Sequence, residues 1–444
     1  MLPGKSKRIK WLLIIAFFIL LAFLLANRMP KYVYLIPVLI LLLTLNSYLL
    51  TKIKISSGKK KHPALLLWLM KAFVVLPSIH LVVFFLASLF YPLQFWHPVI
   101  RTYLLGFVPV LFLIQVFITS IYLIADFINR VVNLINRKRK AAIQIFRLIT
   151  VLNTSAWVLG IIAFVIFLYG MIFTAFDYQI KEVEIRFRKL PVEFDGLKIV
   201  QISDLHLGSF YGTKPMKIIR QKIDAQKPDL IFFTGDLVNY ATAEAFPFKD
   251  IMTQIKAPMG VYAIMGNHDY GEYVRWKSKD EKYKNLEEFY RFYEQTGWKL
   301  LRNEHLCFTR NNAQIVLAGV ENWGVKSRYP RHGNLKQALK GADSTLFTIL
   351  LSHDPSHWKE IVTKKYPQVN LTFSGHTHAM QMGFIHNGKE WSPANWFYNL
   401  WGGLYKNEHQ KEQYLYINRG TGMIGVPARI GLGPEITVIT LRKE

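Results

Sequence analysis

The stretch Leu197–Gly208, "LKIVQISDLHLG", decides how the second half of the chain folds. An almost unbroken apolar run ends there in Asp204 and His206. Near-continuous apolar runs are what strands buried on both faces look like. Four more segments repeat the design. "PDLIFFTGDLV" (228–238) ends on Asp236, and "GVYAIMGNHDY" (260–270) on Asn267, His268 and Asp269. "STLFTILLSHDP" (344–355) ends on His353, and "VNLTFSGHTH" (369–378) on His376 and His378. Helix-like segments such as "PMKIIRQKIDAQ" (215–226) and "NLEEFYRFYEQTG" (285–297) lie between. Strand, helix, strand predicts an α/β sheet, with ligands at the carboxyl ends of its strands. Every Asp, Asn and His named above falls at such an end.

Taken singly, these signals are weak, because a Gly-Asp after a strand is ordinarily a turn. Five pieces in order, all of metal-ligand type, point to a metal site. Carboxylate and amide oxygens mixed with imidazoles suit Mn²⁺, Fe or Zn²⁺, and the lack of thiolates disfavours a closed structural zinc site. In "FSGHTHAMQMG" (373–383), a spacing of two places both histidine rings on one side of an extended backbone. Gly375 would let that backbone turn tightly.

The set "DLH", "GD", "GNHD", "SHD" and "GHTH" resembles the calcineurin-like metallophosphoesterase superfamily over about residues 182–444. The closing "INRGTGMIGVPARIGLGPEITVITL" looks like its membrane-associated bacterial branch. The resemblance implies two β-sheets sandwiched between helices and a dinuclear centre. One ion would be held by Asp204, His206, Asp236 and His378, the other by Asp236, Asn267, His353 and His376, with Asp236 bridging. It also implies that His268 contacts the phosphate and helps the leaving group depart. Asp269 would orient that ring or simply cap its own turn. Two ions roughly 3.5–4 Å apart can support attack by a metal-bound hydroxide in an in-line displacement. Mn²⁺ is the expected metal. One departure stands out: many relatives continue Gly-Gly-Gln after the second histidine, whereas this chain has Ala379-Met380-Gln381.

The first half reads differently. Five apolar runs, roughly 11–27, 32–50, 70–91, 102–125 and 156–176, are long enough to cross a bilayer, since about 20 residues span the hydrocarbon. The first follows a basic "KSKRIK" leader without a clear cleavage site and is expected to stay as an anchor. A hairpin turn is expected at 27–31.

The net charge of +26 is concentrated there: residues 1–176 hold 19 Lys and Arg against the single acid Asp126. Basic clusters at 5–10, 52–61 and 137–140 mark cytoplasmic segments, because Lys and Arg beside membrane helices stay inside. The N-terminus is then inside and the catalytic part outside. The division expected is 1–176, a membrane domain, and 177–444, the metallophosphoesterase. With one cysteine, Cys307, no internal disulfide can form.

Smaller features stay open. "WSPANWFYNLWGGLY" (391–405) is either a lid dipping into the bilayer interface or gripping acyl chains, or a loop wrapped over its own small core. Glu321 and Asn322 follow a strand-like run and could line the pocket. Arg419 and Arg429 could meet phosphate or form structural ion pairs. Lys71 and Asp126 are expected near helix ends, reaching for water.

The expected protein is a membrane-anchored hydrolase of a phosphodiester or phosphomonoester, with a lipid-linked or envelope phosphate as preferred substrate. One rival is a nucleotide-sugar or lipid pyrophosphatase, which requires a cytoplasmic domain. Another is a non-catalytic membrane sensor or transport protein that only binds a ligand. Nucleic acid is disfavoured as a partner, because the second half carries no basic run.

Overall fold

The apolar runs form helices α1 (Leu35–Lys59), α2 (Ala64–Phe90), α3 (Pro98–Arg139) and α4 (Phe146–Ile172). The computed structural model describes residues 19–23, 33, 35–59, 63–91, 96–139, 144–325, 331–410 and 412–444. All four helices are long and apolar enough to cross a membrane. In hydrocarbon a helix satisfies its backbone hydrogen bonds internally, which is why such runs take this form. The run expected at 11–27 lies outside the described residues except for 19–23, which are helical. The turn expected at 27–31 lies outside them entirely.

Contacts divide the chain into two compact units, one of residues 1–96 with 103–166, the other of 97–102 with 167–444. In the first, Leu39, Leu42, Phe84 and Phe85 form one core and Leu49, Val74, Ile118 and Ala156 another. Asn46, Ser78 and Gln115 hydrogen-bond one another between them. Asp126 corrects the sequence expectation. It is not near a helix end, because α3 continues to Arg139; it accepts from Tyr48 Oη at 2.8 Å and pairs with Lys52.

The second unit is built on two six-stranded sheets. The first runs β1 (Gln179–Phe187), β14 (Glu435–Lys443), β2 (Lys198–Ile202), β3 (Leu230–Phe233), β4 (Val261–Ala263), β5 (Lys299–Leu300). The second runs β12 (Gly403–Lys406), β13 (Tyr414–Ile417), β9 (Val369–Ser374), β8 (Phe347–Leu351), β7 (Ala313–Gly319), β6 (Glu304–Arg310). A short hairpin, β10 (Phe384–His386) with β11 (Lys389–Trp391), stands apart. The apolar residues alternate into two layers, as a strand's side chains must. Ile199, Phe232, Leu317, Ile349, Phe373 and Ile439 fill the space between the sheets, where the Phe232 and Phe373 rings meet edge-on at 5.2 Å. On the outer face of the first sheet lie α5 (Lys214–Gln226) and α6 (Lys279–Thr296), through Met216, Ile223, Phe289 and Phe292. Trp358 and Val362 cover the second sheet.

Strands β2, β3 and β4 are mutually parallel, as are β7, β8, β9 and β13. Their carboxyl ends therefore open at common edges, and Gln201 Nε2 ties the two edges by donating to Ser374 O at 2.8 Å.

Candidate metal centre

Three of the five strands that carry candidate ligands, β2, β3 and β9, run into ligands with left-handed backbone. Asp204, His206, Asp236, His376 and His378 have φ between +43° and +75°. Non-glycine residues rarely adopt this region, and strain of that kind gathers at functional sites. The backbone of the histidine pair thus differs from the expectation, since 376–381 is not extended, while the two rings enter separate groups. Gly375 has a different duty as well. Its φ is ordinary, but a Cβ there would lie 2.0 Å from Ser203 Oγ and 2.3 Å from Asp204 Oδ2. Close approach, rather than a turn, requires the glycine.

Two buried groups result, Asp204 with His206 and His378, and Asp236 with His353 and His376. In the first, His378 Nε2 stands 3.2 Å from Asp204 Oδ1 and 3.1 Å from His206 Nε2. In the second, His376 Nδ1 is 3.3 Å from His353 Nε2. Asp236 Oδ1 accepts the His268 backbone N–H at 2.8 Å, which leaves Oδ2 toward both groups. That oxygen is 3.6 Å from His206 Nε2 and 3.2 Å from His353 Nε2. Asn267 Nδ2 donates to Tyr273 Oη at 2.8 Å, and its buried Oδ1 has no protein partner.

These atoms fit divalent ions. His353 Nδ1 lies 2.7 Å from Thr234 O, so Nε2 is the ring nitrogen turned to Asp236. Burial raises Asp236, but His353 and His268 outweigh it and hold the carboxyl well below the usual range. Burial keeps His206 far below its ordinary pKa, neutral and ready to ligate.

The structure decides between the two roles expected of Asp269. Asp269 does not orient the His268 ring. Its carboxylate accepts four backbone N–H groups, from Asp236, Leu237, Val238 and Gly266, at 2.8–3.3 Å. It shapes the loop that carries Asp236. The His268 ring is held instead by Asn239 O, 2.8 Å from Nδ1, and by Tyr273, stacked at 4.2 Å. Burial lowers the His268 pKa.

Glu244 fixes the Asn239 loop in turn. It accepts Asn239 N at 2.7 Å and Tyr240 N at 3.3 Å, and pairs with Arg101. Thr102 Oγ1 donates to Gly208 O at 3.1 Å, just past His206.

Sequence reasoning missed Tyr273, Asn239, Glu244 and Arg101, since no motif or period marks them. It also missed Asp354, whose Oδ2 is 3.7 Å from His376 Nε2, although "SHD" displayed it beside His353. The features left open now have places. Arg429 donates to the carbonyls of Arg419, Gly420 and Gly422, and Arg419 pairs with Glu435 and Glu390. Both are structural. Glu321 binds Asn303 and Arg302 instead of reaching the centre. Ala379 and Met380, which stand in place of the expected glycines, and Gln381 all have φ near +50°. Gln381 offsets that strain by bonding Val426 O, Ala428 O and Ile424 N at 2.6–3.1 Å.

Residues 197–380 match the family described as calcineurin-like phosphoesterase. A Bacillus subtilis metallophosphoesterase, YkuE, is 32% identical over 57% of this chain and 82% of its own length. A Danio rerio "transmembrane protein with metallophosphoesterase domain" is 30% identical over 64% of this chain, which spans 62% of that protein. A Chlamydia muridarum protein named UDP-2,3-diacylglucosamine pyrophosphatase LpxG is 30% identical over 53% of this chain and 81% of its own length.

Proposed function

The chain belongs to the calcineurin-like phosphoesterases, and from that premise we propose that it is a multi-pass membrane hydrolase of lipid-linked or envelope phosphoesters. The observation that carries this is Asp236 Oδ2, set 3.6 and 3.2 Å from the facing histidine nitrogens of two separate ligand groups. A carboxylate oxygen so placed is what two ions sharing a bridge require.

In this reading Asp204, His206, Asp236 and His378 hold one ion. Asp236, Asn267, His353 and His376 hold the other, with Mn²⁺ as the metal. Bound ions supply Lewis acidity toward phosphoryl oxygens and lower the pKa of water. The chain's own residues do the rest. With Nδ1 committed to Asn239 O, His268 offers Nε2 to a phosphate oxygen and to the departing group. Asp269 keeps Asp236 in place through the backbone it grips. Residues 1–176 anchor the chain, and residues 177–444 face away from the cytoplasm.

A second reading has its own support. The Chlamydia relative is named for a pyrophosphatase, so cleavage of a nucleotide-linked lipid on the cytoplasmic side competes with ours. A reporter fused after Glu444 separates them, because external activity excludes a cytosolic nucleotide substrate.

The deciding experiment is Mn²⁺-dependent hydrolysis of bis-p-nitrophenyl phosphate and p-nitrophenyl phosphate by the full chain. Asp236→Asn is expected to lose activity together with bound metal, and His268→Ala to lose activity with both metals retained. Two metals bound, an intact fold and no hydrolysis of either ester would favour the ligand-binding rival.

A further inference from the structure

Large apolar side chains stand exposed beside the metal centre, and they are continuous with the end of the last apolar helix. Phe384 is 53% exposed, Ile385 56%, Trp396 73% and Phe397 62%. Phe384 and Trp396 are joined through Trp391, on which Phe384 stacks at 5.2 Å and which Trp396 meets edge-on at 5.5 Å; Ile385 and Phe397 are their neighbours in the chain. On one side this surface borders the centre. The Tyr398 ring lies 6.1 Å from that of His376, and Ser392 Oγ donates to Ala379 O at 2.6 Å.

On the other side it is tied to α4. Gly383 N donates to Ile430 O at 2.9 Å, and Arg429 N donates to Gly170 O at 3.2 Å. A Cβ on Gly170 would lie 2.5 Å from Arg429 O, so helix and loop touch by backbone. The same helix turn exposes Tyr169, Ile172 and Phe173, within the candidate span Phe146–Phe176. Soluble surfaces rarely leave so much contiguous apolar area uncovered, and Trp concentrates where a bilayer meets water.

We propose that the face formed by Phe384, Ile385, Trp396 and Phe397 docks in the polar–apolar interface of the bilayer. The metal centre then opens beside the headgroup layer, where the substrate is the phosphoester of an amphiphile. The substrate part rests on the phosphoesterase reading; the docking does not. The membrane is the occupant chosen because a span emerges beside the face and supplies the same apolar phase.

The test uses the full chain in lipid discs of phosphatidylethanolamine and phosphatidylglycerol, with the single native thiol removed by Cys307→Ser. Nitroxide labels go on Ile385→Cys and, separately, Trp396→Cys, with exposed Glu287→Cys on α6 as the reference. Collision with oxygen and with a water-soluble nickel chelate is read for each. At both face positions the oxygen-to-nickel ratio is expected to exceed the reference about fivefold, as for groups buried in the headgroup–acyl boundary. Nickel access equal to the reference at both positions would overturn the proposal. So would dipolar broadening between labels on different chains, which would assign the face to a second copy. Protection that develops only on adding a single-chain phosphate amphiphile would assign it to the substrate's tail and overturn it too. No turnover enters these readings. Protected labels on an enzyme inert toward every ester would sink the phosphoesterase reading and leave the docking intact.

Discussion

Tyr273 shows how a single side chain can serve two site residues. Its hydroxyl takes the Asn267 amide N–H, which leaves the buried Oδ1 of that amide without a protein partner, and its ring braces His268. Tyr273→Phe keeps the ring and removes the acceptor. Loss of such a supporting contact costs about 10–100-fold in metal affinity, and a fall of that order, read by metal titration, is expected with the stack preserved. His357 makes a separate prediction. It is buried against Trp323, with Nδ1 2.8 Å from Ser352 Oγ, and burial pushes its pKa down to about 4. The folded chain therefore prefers the neutral ring. Above the unfolded pKa of about 6.5 this preference contributes in full, and it is lost as pH falls toward 4, a loss of about 3 kcal/mol. Urea unfolding of the wild type should weaken more steeply over that range than unfolding of His357→Phe.

Among the elements, α3 is the unusual one. Its 42 residues span about 63 Å at 1.5 Å per residue, roughly twice the hydrocarbon thickness. Its first turn carries Arg101, which is 1% exposed and paired with Glu244 beneath the loop that holds His268 in place. Burial raises the Glu244 pKa, and the guanidinium opposes that. Removing one partner of a buried pair leaves the other uncompensated, at a cost of about 3–5 kcal/mol. Arg101→Ala should therefore destabilise the catalytic unit by that order in calorimetry. A drop in hydrolysis with an unchanged thermal transition would contradict the structural part of this account.

The whole molecule divides into two compact units, and among the described residues both candidate metal groups lie in the α/β one. Ions that bind the folded centre alone stabilise it by about 2.7 kcal/mol at a hundredfold excess over Kd. Calorimetry of the full chain in detergent should resolve two transitions. A chelator should lower the transition of the α/β unit and leave that of the helical unit in place. Equal shifts in both would mean that the units melt as one.

By itself the sequence determined which residues could be ligands and where they would sit. Asp204, Asp236, Asn267, His353, His376 and His378 each close an apolar strand, and that pattern is local. The membrane helices were legible for the same reason, because a run of apolar residues is a property of neighbours in the chain. Their ends were less so: α3 outruns its apolar stretch because a helix, once formed, adds further turns cheaply. Only the tertiary structure decided the rest. It folded 376–381 into a left-handed turn instead of an extended strand, set Tyr273 and Asn239 on the His268 ring, and gave Asp269 to the backbone instead of to His268. Arg101 and Glu244 are 143 positions apart, and no period or motif encodes a contact of that kind. The ligands from β2, β3, β8 and β9 meet only when the two sheets close on a shared core, and the left-handed backbone at Asp204, His206, Asp236, His376 and His378 persists because that closure holds it.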